Sequence, residues 1–597
     1  MTSETFSGVD RSVLGFQWVS RCNDFQRMQA LAITQQYGLP DILSQVLAGR
    51  GIALDNVESF LEPRLRDLMP DPDVLKDMQG AVERIVSAVE KKEKIAIFGD
   101  YDVDGACSAA LMSYYLQLCG VQTQIHIPDR ITEGYGPNIA AIEALHQNGA
   151  DLLITVDCGT ASHEPLAAAK KMGLDVIVLD HHQAPDVLPD VLALVNPNRQ
   201  DDLSGLGYLC AAGVVFLVLV AVNRALRRRG FWNEQHRVEP NMLDQLDLVA
   251  LATVADVSPL IGLNRAFVRQ GLLVMRKRKR CGLAALMDIA RLNAPPEAWH
   301  LGYLLGPRIN AGGRIGDATL GARLLLCEDP AHAITLAENL DQLNRERQSI
   351  EQLSVMDAEA QAHNVLEKNP DQAILVVHSP DWHPGVVGLI ASRLKERFRR
   401  PVFAFAKVEE GMMTGSGRSV PGFDLGCLVR KAVEEGVVQK GGGHSMAAGV
   451  TLSDVQFHVF SDYINSALGK LDSNETMHIL SIDASLNAAA AQVSLLKALD
   501  KAGPYGSGQP EPVFAFINHR LVEAREVGSG GHVRIKLTSG DGQAIQGIAF
   551  RAATGDLGQA LLQNIGQTIH AAGTLSVDNW GGRERINLRL IDISLNT

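Results

Sequence analysis

Short, unbroken apolar runs alternate with helix-length spacers between residues 94 and 200. Five such runs follow one another: KIAIFGD, TQIHIPD, DLLITVDCG, DVIVLDHH and LALVNP. Apolar residues without polar alternation are typical of parallel strands that are buried on both faces of a sheet. The pattern therefore predicts a doubly wound α/β sheet in this part of the chain.

A polar residue closes each of these apolar runs. Four of the five runs end on an aspartate, and the fifth ends on Asn196. Ligands of doubly wound sheets bind beyond the carboxyl ends of the strands, so we expect the five polar side chains to converge on one cleft. A surface without a site would distribute its acids over both ends of the sheet.

The rest of the chain changes its pattern three times. Residues 331–369 contain neither Gly nor Pro and follow a helical region, which predicts one long helix of roughly 55 Å that bridges two domains. A second α/β unit is expected from about residue 373 to about residue 452. Short alternating strands after residue 478 predict a small barrel of the OB type, with an SH3-like barrel as the alternative.

Composition agrees with a globular protein of several domains. The chain has 597 residues, of which 46% are hydrophobic and 21% are charged. The net charge of −13 argues only superficially against a polyanionic partner, because a global charge says little about a local groove. Basic clusters at residues 227–229, 276–280 and 395–400 are explained at least as well by solvated helix faces as by nucleic-acid contacts.

Cysteine spacing and apolar runs indicate the cellular compartment. None of the eight cysteines forms a C-x-x-C pair, so neither a zinc ribbon nor a disulfide framework is indicated, and a reducing compartment is expected. The first residues do not resemble a secretory signal, so we predict a cytoplasmic location. Residues 206–222 carry no charge, but the run is shorter than the ~20 residues that span a bilayer. We expect a buried core helix there, with membrane contact as the alternative.

The loop after the first run carries three aspartates at alternate positions, Asp100, Asp102 and Asp104. Three neighbouring carboxylates repel one another unless a divalent cation with hard oxygen ligands neutralises them. A turn with a helix N-cap is the alternative, but it uses only one or two of the three acids. The spacing therefore favours a metal site.

The third and fourth runs add further ligands to the same cleft. Asp157 ends the third run, and Asp180, His181 and His182 end the fourth. Imidazole beside carboxylates favours Mn²⁺, with Mg²⁺ as a substitute. Six or seven ligands suit two ions ~3.5–4 Å apart, which activate a water and hold a phosphoryl group. Phosphoester hydrolysis is therefore the predicted reaction class. No Walker A sequence and no G-x-S-x-G sequence occurs, which disfavours a nucleotide-driven motor and an acyl-transfer enzyme.

Nine motifs in chain order resemble the DHH phosphoesterase superfamily and, within it, the RecJ family of single-strand-specific 5′→3′ DNA exonucleases. They are GDYDVDG, PDRITEGYG, VDCG, DHH, TVADVSPL, GPRINAGGR, DWHPGVVG, GSGRSVPGFD and GGGHSMAAG, over about residues 90–450. The sequence departs from the family pattern at Gly313 and Gly316, where larger residues are expected. Cys107, which follows the metal loop, is a third departure.

The resemblance implies five regions and an α/β fold class with a terminal barrel. They are an N-terminal helical region (1–90), a DHH metal-binding catalytic domain (91–330), a connecting long helix (331–368), a DHHA1-type substrate-binding domain (369–470) and an OB-like nucleic-acid-binding domain (471–597).

The resemblance also implies a role for each candidate site residue. The metal ligands would be Asp100, Asp102, Asp104, Asp157, His181 and Asp256. Asp157 would bridge the two ions, His182 would contact the scissile phosphate, and Asp180 would lie close to the ligands. The DNA phosphates would be held by Arg130, Arg308, Asn310, Ser416, Arg418 and His444. For Arg130 and Arg308 a structural salt bridge is the alternative.

Two glycine-rich segments are expected to open helices whose backbone N–H groups approach a phosphate. They are GVVG at residues 385–388 and GGGHSMAAG at residues 441–449, with tight turns as the alternative. In the barrel, the candidates for contacting a single strand are Arg534, Trp580, Arg583 and Arg585.

The leading hypothesis is a two-metal exonuclease that releases mononucleotides from single-stranded DNA, 5′→3′, in DNA repair and recombination. The alternatives are a hydrolase of small phosphates or short oligonucleotides, which the extra barrel disfavours, and a non-catalytic nucleic-acid-binding scaffold, which the intact acids disfavour. Family likeness implies a single-strand-binding protein and a helicase as partners. We expect a monomer that contacts no membrane.

Overall fold

The computed structural model describes residues 5–234, 237–409, 411–468, 478–528, 530–578 and 584–595. The chain divides into two compact units. Unit 1 comprises Met1–Met69, Leu260–Ala266 and Ser473–Thr597, and unit 2 comprises Pro70–Pro259 and Phe267–Asp472.

The first residues of unit 1 are mostly helical, and they also contribute a strand that the sequence pattern did not predict. The elements are β1 (Phe16–Ser20), α1 (Asp24–Tyr37), α2 (Asp41–Gly49), α3 (Val57–Leu61) and α4 (Leu65–Leu68). Helix α1 begins with a capping box, in which the backbone N–H of Gln26 donates to Asn23 Oδ1 at 2.9 Å and that of Asn23 donates to Gln26 Oε1 at 3.0 Å.

Unit 2 begins with a five-stranded parallel sheet in the order β3-β2-β4-β5-β6. Its elements are α5 (Met78–Lys91), β2 (Ile95–Gly99), α6 (Val103–Leu118), β3 (Thr123–His126), α7 (Ile139–Gln147), β4 (Leu152–Val156), α8 (His163–Lys171), β5 (Asp175–Leu179) and β6 (Ala193–Val195). All five predicted strands are present, and β2 and β4 are buried at every position. The predicted doubly wound sheet is therefore confirmed.

A helical region follows the sheet. Its helices are α9 (Ala211–Arg228), α10 (Phe231–Glu234), α11 (Leu246–Ala255), α12 (Gly262–Arg276), α13 (Cys281–Ile289), α14 (Ala298–His300), α15 (Gly306–Ile315) and α16 (Leu320–Leu326), with a π turn at Leu301–Leu305 between α14 and α15. The uncharged run forms most of α9, which is buried along its first twelve residues except one. Within the described residues, no helix is long and apolar enough to cross a membrane.

The long helix α17 spans Pro330–Lys368 and begins where Asp329 Oδ2 accepts a hydrogen bond from the backbone N–H of His332 at 3.0 Å. Its 39 residues give it a length of about 58 Å. The start of the helix buries Ala333, Leu336 and Leu340, and its end buries Ala358 and Ala362 in the core of the second sheet.

The second sheet of unit 2 has the order β10-β11-β9-β8-β7, in which only β7 and β8 are parallel. The elements are β7 (Leu375–Ser379), α18 (Val387–Phe398), β8 (Val402–Glu409), β9 (Met412–Arg418), α19 (Leu425–Glu434), β10 (Lys440–His444), β11 (Ala447–Ser453) and α20 (Gln456–Leu468).

Two glycine-rich segments were predicted to open helices, and the prediction is wrong for one of them. The GVVG segment opens α18 as expected, but residues 441–449 form the antiparallel hairpin of β10 and β11. The glycines serve packing here: a Cβ on Gly441 would lie 2.5 Å from Val429 Cγ1 of α19, and Gly443 has φ +147°. Small residues therefore let α19 lie directly on β10.

The last part of unit 1 is a closed barrel. Its elements are β12 (His478–Ile482), β13 (Ala484–Ser485), α21 (Val493–Leu499), β14 (Phe514–Val527), β15 (His532–Thr538), β16 (Ala544–Ala549), α22 (Asp556–Gln563), β17 (Thr568–Asp578) and β18 (Arg585–Leu595). Pairing of β14 with β17 closes the order β14-β15-β16-β18-β17, which confirms the OB-like expectation. Strand β12 pairs in parallel with β1.

Two of the four barrel candidates, Trp580 and Arg583, lie outside the described residues. Arg585 is exposed at the start of β18, and Arg534 donates to Gln546 Oε1 at 2.7 Å.

Candidate metal centre

The carboxyl ends of β2, β4 and β5 and the end of α11 bring their acids and histidines to one place. Three groups have ligand atoms within 4.8 Å of one another: Asp100, Asp102 and Asp157; Asp104, His181 and Asp256; and Asp157, His181 and His182. All six ligands named by the resemblance therefore belong to one cluster. His182 completes it.

The loop after β2 uses one of its acids as a helix cap. Asp102 Oδ1 accepts hydrogen bonds from the backbone N–H groups of Asp104, at 2.9 Å, and Gly105, at 3.1 Å. The N-cap alternative is therefore realised for Asp102, and it leaves the second carboxylate oxygen for a ligand. A Cβ on Gly105 would lie 2.3 Å from the Asp100 carbonyl oxygen, so only glycine permits this tight loop.

Asp104 is held by the start of α9. Its Oδ2 accepts from the N–H of Ala211 at 2.7 Å, and its Oδ1 accepts from the N–H of Ala212 at 2.8 Å. The positive end of a helix stabilises a carboxylate in this position. Burial, with the charges of Asp256 and Asp102, nevertheless raises the pKa of Asp104 to about 7 in the metal-free centre.

Asp157 has a left-handed backbone with φ +61°, which is strained for a residue other than glycine. This backbone conformation directs the carboxylate of Asp157 into the cluster, where Oδ1 lies 3.2 Å from His181 Nε2. Burial raises the pKa values of Asp157 and Asp100, and the neighbouring acids raise them further.

Three buried ligand atoms lack a hydrogen-bond partner within the described residues: Asp100 Oδ1, Asp157 Oδ1 and His181 Nε2. Buried polar atoms without partners are rare because each costs free energy. A divalent cation with oxygen and imidazole ligands would satisfy all three atoms. The residues present therefore fit a metal site.

Asp180 differs from the other acids because its carboxylate takes part in four hydrogen bonds within the described residues. It accepts from the backbone N–H groups of Thr160 (3.1 Å), His181 (2.7 Å) and His182 (3.2 Å), and its Oδ1 lies 2.8 Å from His182 Nδ1. Burial alone would raise the pKa of Asp180, but the hydrogen bond with His182 and the positive charges of His182 and His181 hold it well below its usual range. Asp180 is therefore a charged partner for His182.

His182 is held as a cation by this arrangement. Burial alone would lower its pKa, but Asp180 raises it to about 9. The hydroxyl of Tyr135 lies 3.3 Å from His182 Nδ1 and donates to the Asp157 carbonyl oxygen at 3.4 Å. Tyr135 was not among the predicted site residues, although it belongs to the quoted PDRITEGYG motif.

Asp256 follows the last residue of α11. Ser258 Oγ donates to its Oδ2 at 2.7 Å. Val257, between them, has φ +61° and is 69% exposed, which is unusual for a β-branched residue. The left-handed residue turns the chain at the point where Asp256 must face the cluster.

Three arginines without a carboxylate partner among the described residues lie beside the metal cluster. Arg130 stacks on the Tyr101 ring at 4.9 Å, Arg314 donates to the Gly385 carbonyl oxygen at 3.2 Å, and Arg418 donates to Ser416 Oγ at 2.9 Å. Burial, with the charges of Arg130, Arg347 and Arg418, lowers the pKa of Arg314 to about 10. Adjacent positive charges of this kind attract an anion, so we call Arg130, Arg314 and Arg418 the arginine cluster.

Arg314 was missed by the sequence analysis, and its signal was the glycine that precedes it. A Cβ on Gly313 would lie 2.3 Å from the Tyr101 carbonyl oxygen, and a Cβ on Gly316 would lie 2.8 Å from Leu343 Cδ1. Both departures from the family pattern are therefore positions where α15 is in close contact with its neighbours. This close approach places Arg314 near the metal loop.

The remaining predicted phosphate contacts fall in different places. Arg308 pairs with Asp341 of α17 at 2.9 Å, which is the salt bridge named as its alternative. Asn310 is half-buried on α15, and its spacing of four residues places it on the same side as Arg314. His444 lies at the exposed end of β10, and partial desolvation of its ring, with the charges of His182, Arg430 and His181, lowers its pKa.

Three parts of the chain match known protein families. Residues 94–253 match the DHH family, N-terminal domain, residues 371–470 match the DHHA1 domain, and residues 482–592 match the RecJ OB domain.

Curated proteins and solved structures agree with these matches. The chain is 37% identical to the single-stranded-DNA-specific exonuclease RecJ of Escherichia coli, over 86% of this chain and 90% of that protein, and 31% identical to that of Thermus thermophilus, over 87% and 71%. The crystal structure of RecJ in complex with Mn²⁺ from Thermus thermophilus has a TM-score of 0.79 at 27% identity, over 97% of this chain and 79% of that chain.

Proposed function

This chain belongs to the RecJ family of DHH phosphoesterases, and from that premise we propose that it degrades single-stranded DNA from the 5′ end and releases mononucleotides. Relatives that are 31–38% identical over most of the chain are named single-stranded-DNA-specific exonucleases. RecJ structures contain Mn²⁺ or Mg²⁺. Both findings support a metal-dependent exonuclease that acts on single strands. We place its action in DNA repair and recombination as part of the proposal.

The observation that carries the proposal is the combination of two unbalanced charge clusters. Among the described residues, Asp100 Oδ1, Asp157 Oδ1 and His181 Nε2 are buried and make no hydrogen bond, and the arginine cluster beside them has no carboxylate partner. Divalent cations would balance the acids, and phosphates of a nucleic acid would balance the arginines. A phosphodiester is the substrate class that contacts both.

We assign the ligands to two ions, Mn²⁺ or Mg²⁺. Asp100 and Asp102 would hold one ion, Asp104, His181 and Asp256 would hold the other, and Asp157 would bridge them. Bound there, the ions would supply an activated water and stabilise the charge on the phosphoryl oxygens.

His182 would contact the scissile phosphate. The Asp180 carboxylate keeps its imidazole protonated at neutral pH, and the Tyr135 hydroxyl lies beside the same ring nitrogen, Nδ1. A charged imidazole donates a stronger hydrogen bond to a phosphate oxygen than a neutral one does. His182 would therefore orient the phosphate towards the ligands.

The arginine cluster would hold the 5′-terminal phosphate, together with the hydroxyl of Ser416. Asn310 and His444 would contact neighbouring phosphates. Arg308 would act differently, because its ion pair with Asp341 joins α15 to α17 and so positions Arg314. The barrel would bind the strand outside the centre.

We also infer the partners, the oligomeric state and the location of the enzyme from its family. A single-strand-binding protein would deliver the substrate, a helicase would generate it from duplex DNA, and the enzyme would act as a monomer in the cytoplasm.

Digestion of single strands labelled at the 5′ or 3′ end tests the proposal, with and without Mn²⁺, beside duplex DNA and pyrophosphate. We expect release of the 5′-terminal mononucleotide from single strands alone, and only with metal. Hydrolysis of pyrophosphate without attack on single strands would support the small-phosphate alternative. Binding of strands without any hydrolysis would support the scaffold.

A further inference from the structure

Two exposed aromatic side chains near the metal centre have no role in the function proposed above. Trp299 is 51% exposed and Tyr303 is 82% exposed. Trp18, Trp232 and Trp382 are, by contrast, at most 5% exposed. Large aromatic rings contribute most when they are buried, so a ring held at the surface is a candidate contact for a ligand.

Both rings belong to the helical stretch that also carries Asn310 and Arg314. Helix α14, the π turn and α15 form continuous helix from residue 298 to residue 315. Trp299 and Tyr303 are four residues apart, as are Asn310 and Arg314, and this spacing places the two members of each pair on one side of the helix. π turns occur frequently at functional sites. The aromatic pair therefore precedes, on one continuous helical stretch, the pair that we assign to phosphate binding.

The same stretch packs against the elements that carry metal ligands. A Cβ on Gly302 would lie 3.4 Å from Val254 Cγ1, and a Cβ on Gly306 would lie 3.3 Å from Ala255 Cβ and 3.9 Å from Val103 Cγ2. Val254 and Ala255 lead to the ligand Asp256, and Val103 lies between the ligands Asp102 and Asp104. Gly306, which contacts both elements, thus separates the aromatic end of the stretch from its Arg314 end.

Trp299 is held in place by its neighbours. Its Nε1 donates to Glu297 Oε2 at 2.9 Å, and its ring packs on His300 with 3.8 Å between ring centroids. His300 is itself buried and accepts a hydrogen bond from the backbone N–H of Glu297 at 2.9 Å. A side chain that is ordered before binding loses less entropy when the ligand arrives.

We propose that Trp299 and Tyr303 form a base-stacking platform for single-stranded DNA, on the opposite side of the metal centre from the terminal phosphate. The proposal rests on the proposed function. Along the helix, Tyr303 and Arg314 are about 16 Å apart, which a few nucleotides span. Aromatic rings stack on any base, so the platform would hold strands without sequence preference. Anchored at both ends, the strand would be stretched across the metals.

Binding of a fluorescent oligothymidylate to the full chain, with a chelator present to prevent cleavage, tests the platform. Tyr303→Ala and Trp299→Ala should each weaken binding by about tenfold, because stacking on one base contributes about that much. Tyr303→Phe keeps the ring and should bind within about twofold of wild type. Phe25→Ala, which removes a 70% exposed ring from α1, is the matched control and should bind like wild type.

Strands with one abasic nucleotide separate stacking from a structural effect. In the wild type, an abasic position over the platform should weaken binding by the same factor as Tyr303→Ala, and the two changes together should cost no more than one. The effect should occur at interior positions and not at the 5′-terminal one. Loss of binding in Tyr303→Phe equal to that in Tyr303→Ala, or an equal loss on every abasic strand, would overturn the platform.

The control for the function itself is a separate measurement. If the wild type releases no nucleotide from single strands with Mn²⁺, the proposed exonuclease fails whatever the binding data are. If the wild type cleaves and Tyr303→Ala binds as tightly as wild type, only the platform is wrong.

Discussion

In unit 2, charged side chains are buried both in the middle of α17 and at the metal centre. Opposite charges are paired in α17, whereas like charges lie together at the metal centre. In α17, Glu351 accepts hydrogen bonds from Arg347 and, at 3.1 Å, from Arg393 of α18. Arg347 also donates to Asn344 Oδ1 at 2.8 Å. At the metal centre, several acids face one another, and three ligand atoms make no hydrogen bond among the described residues.

The difference separates a structural cluster from a functional one. A buried charge that is paired and hydrogen-bonded roughly balances its desolvation cost, whereas a buried charge without a partner lowers stability unless a ligand neutralises it. Removal of one partner should therefore destabilise the α17 cluster. Removal of one acid from the metal centre should reduce the repulsion in the metal-free protein, which stabilises it, and should abolish hydrolysis.

Asp157→Asn should have the largest effect. It should lower the rate of hydrolysis but raise the stability of the metal-free protein. Hydrolysis should fall by about 100-fold or more, equivalent to about 2.7 kcal/mol of barrier, because the carboxylate that we propose as the bridge between the ions is lost. Strand binding should persist, since phosphate contacts supply most of it. Without metal, the variant should unfold at a higher temperature than the wild type. Rate measurements on labelled strands check the first claim, and more than a tenth of the wild-type rate would contradict it.

Glu351→Ala tests the other side of the comparison. It leaves Arg347 without its buried partner, so unit 2 should lose about 3–5 kcal/mol of stability. Urea unfolding of the full chain measures this loss. Glu338→Ala, which removes an exposed acid from the same helix, is the control. A Glu351→Ala variant as stable as the control would show that the cluster is not structural.

Arg418→Ala sharpens the contrast between the arginine cluster and the paired arginines of α17. It should raise KM for 5′-phosphorylated strands by about 10–100-fold, the usual contribution of a charge-assisted hydrogen bond, and affect 5′-hydroxyl strands much less. Arg323→Ala, which removes an arginine exposed beside Asp317, is the control. Equal losses on both substrates would place Arg418 elsewhere along the strand.

The pH dependence of stability should distinguish the acids within the centre. Burial raises the pKa values of Asp100, Asp104 and Asp157, so these groups bind protons more tightly in the folded state than in the unfolded state. Metal-free protein should therefore lose stability as pH rises from about 4 towards about 7, and Mn²⁺ should restore it. Asp180 acts oppositely, because its pKa is lowered. Thermal unfolding at pH 5 and pH 8 checks the sign, and a higher midpoint at pH 8 without metal would contradict it.

Tyr135→Phe should have the smallest effect. It removes the hydroxyl beside His182 and leaves the ion pair with Asp180, so kcat should fall about three- to tenfold, the contribution of one hydrogen bond. KM should change little. Because Tyr135 acts through His182, the pKa of that imidazole should shift in an NMR titration, and an unchanged titration with reduced kcat would exclude this route.

Much of the fold could be predicted because its signals are local. Five aliphatic runs ending on polar residues indicate parallel strands whatever packs on them, and 39 residues without Gly or Pro indicate one long helix. The glycine-rich segment at residues 441–449 was predicted wrongly for the opposite reason. Its glycines are needed by α19, which contacts β10 only in the folded chain.

The sequence by itself determined which strand-end groups come together, because strand ends in a parallel sheet meet at one edge and each of β2, β4 and β5 is followed by an acid. Asp256, after α11, was named only through the family resemblance. Only the tertiary structure decided how those groups are used. Backbone N–H groups at the start of α9 donate to Asp104, and the Asp180 carboxylate keeps His182 protonated. Asp341 of α17 pairs with Arg308, whereas α15 brings Arg314 to the centre. These roles depend on contacts between residues far apart in the chain, and a pattern of neighbouring residues carries no information about them.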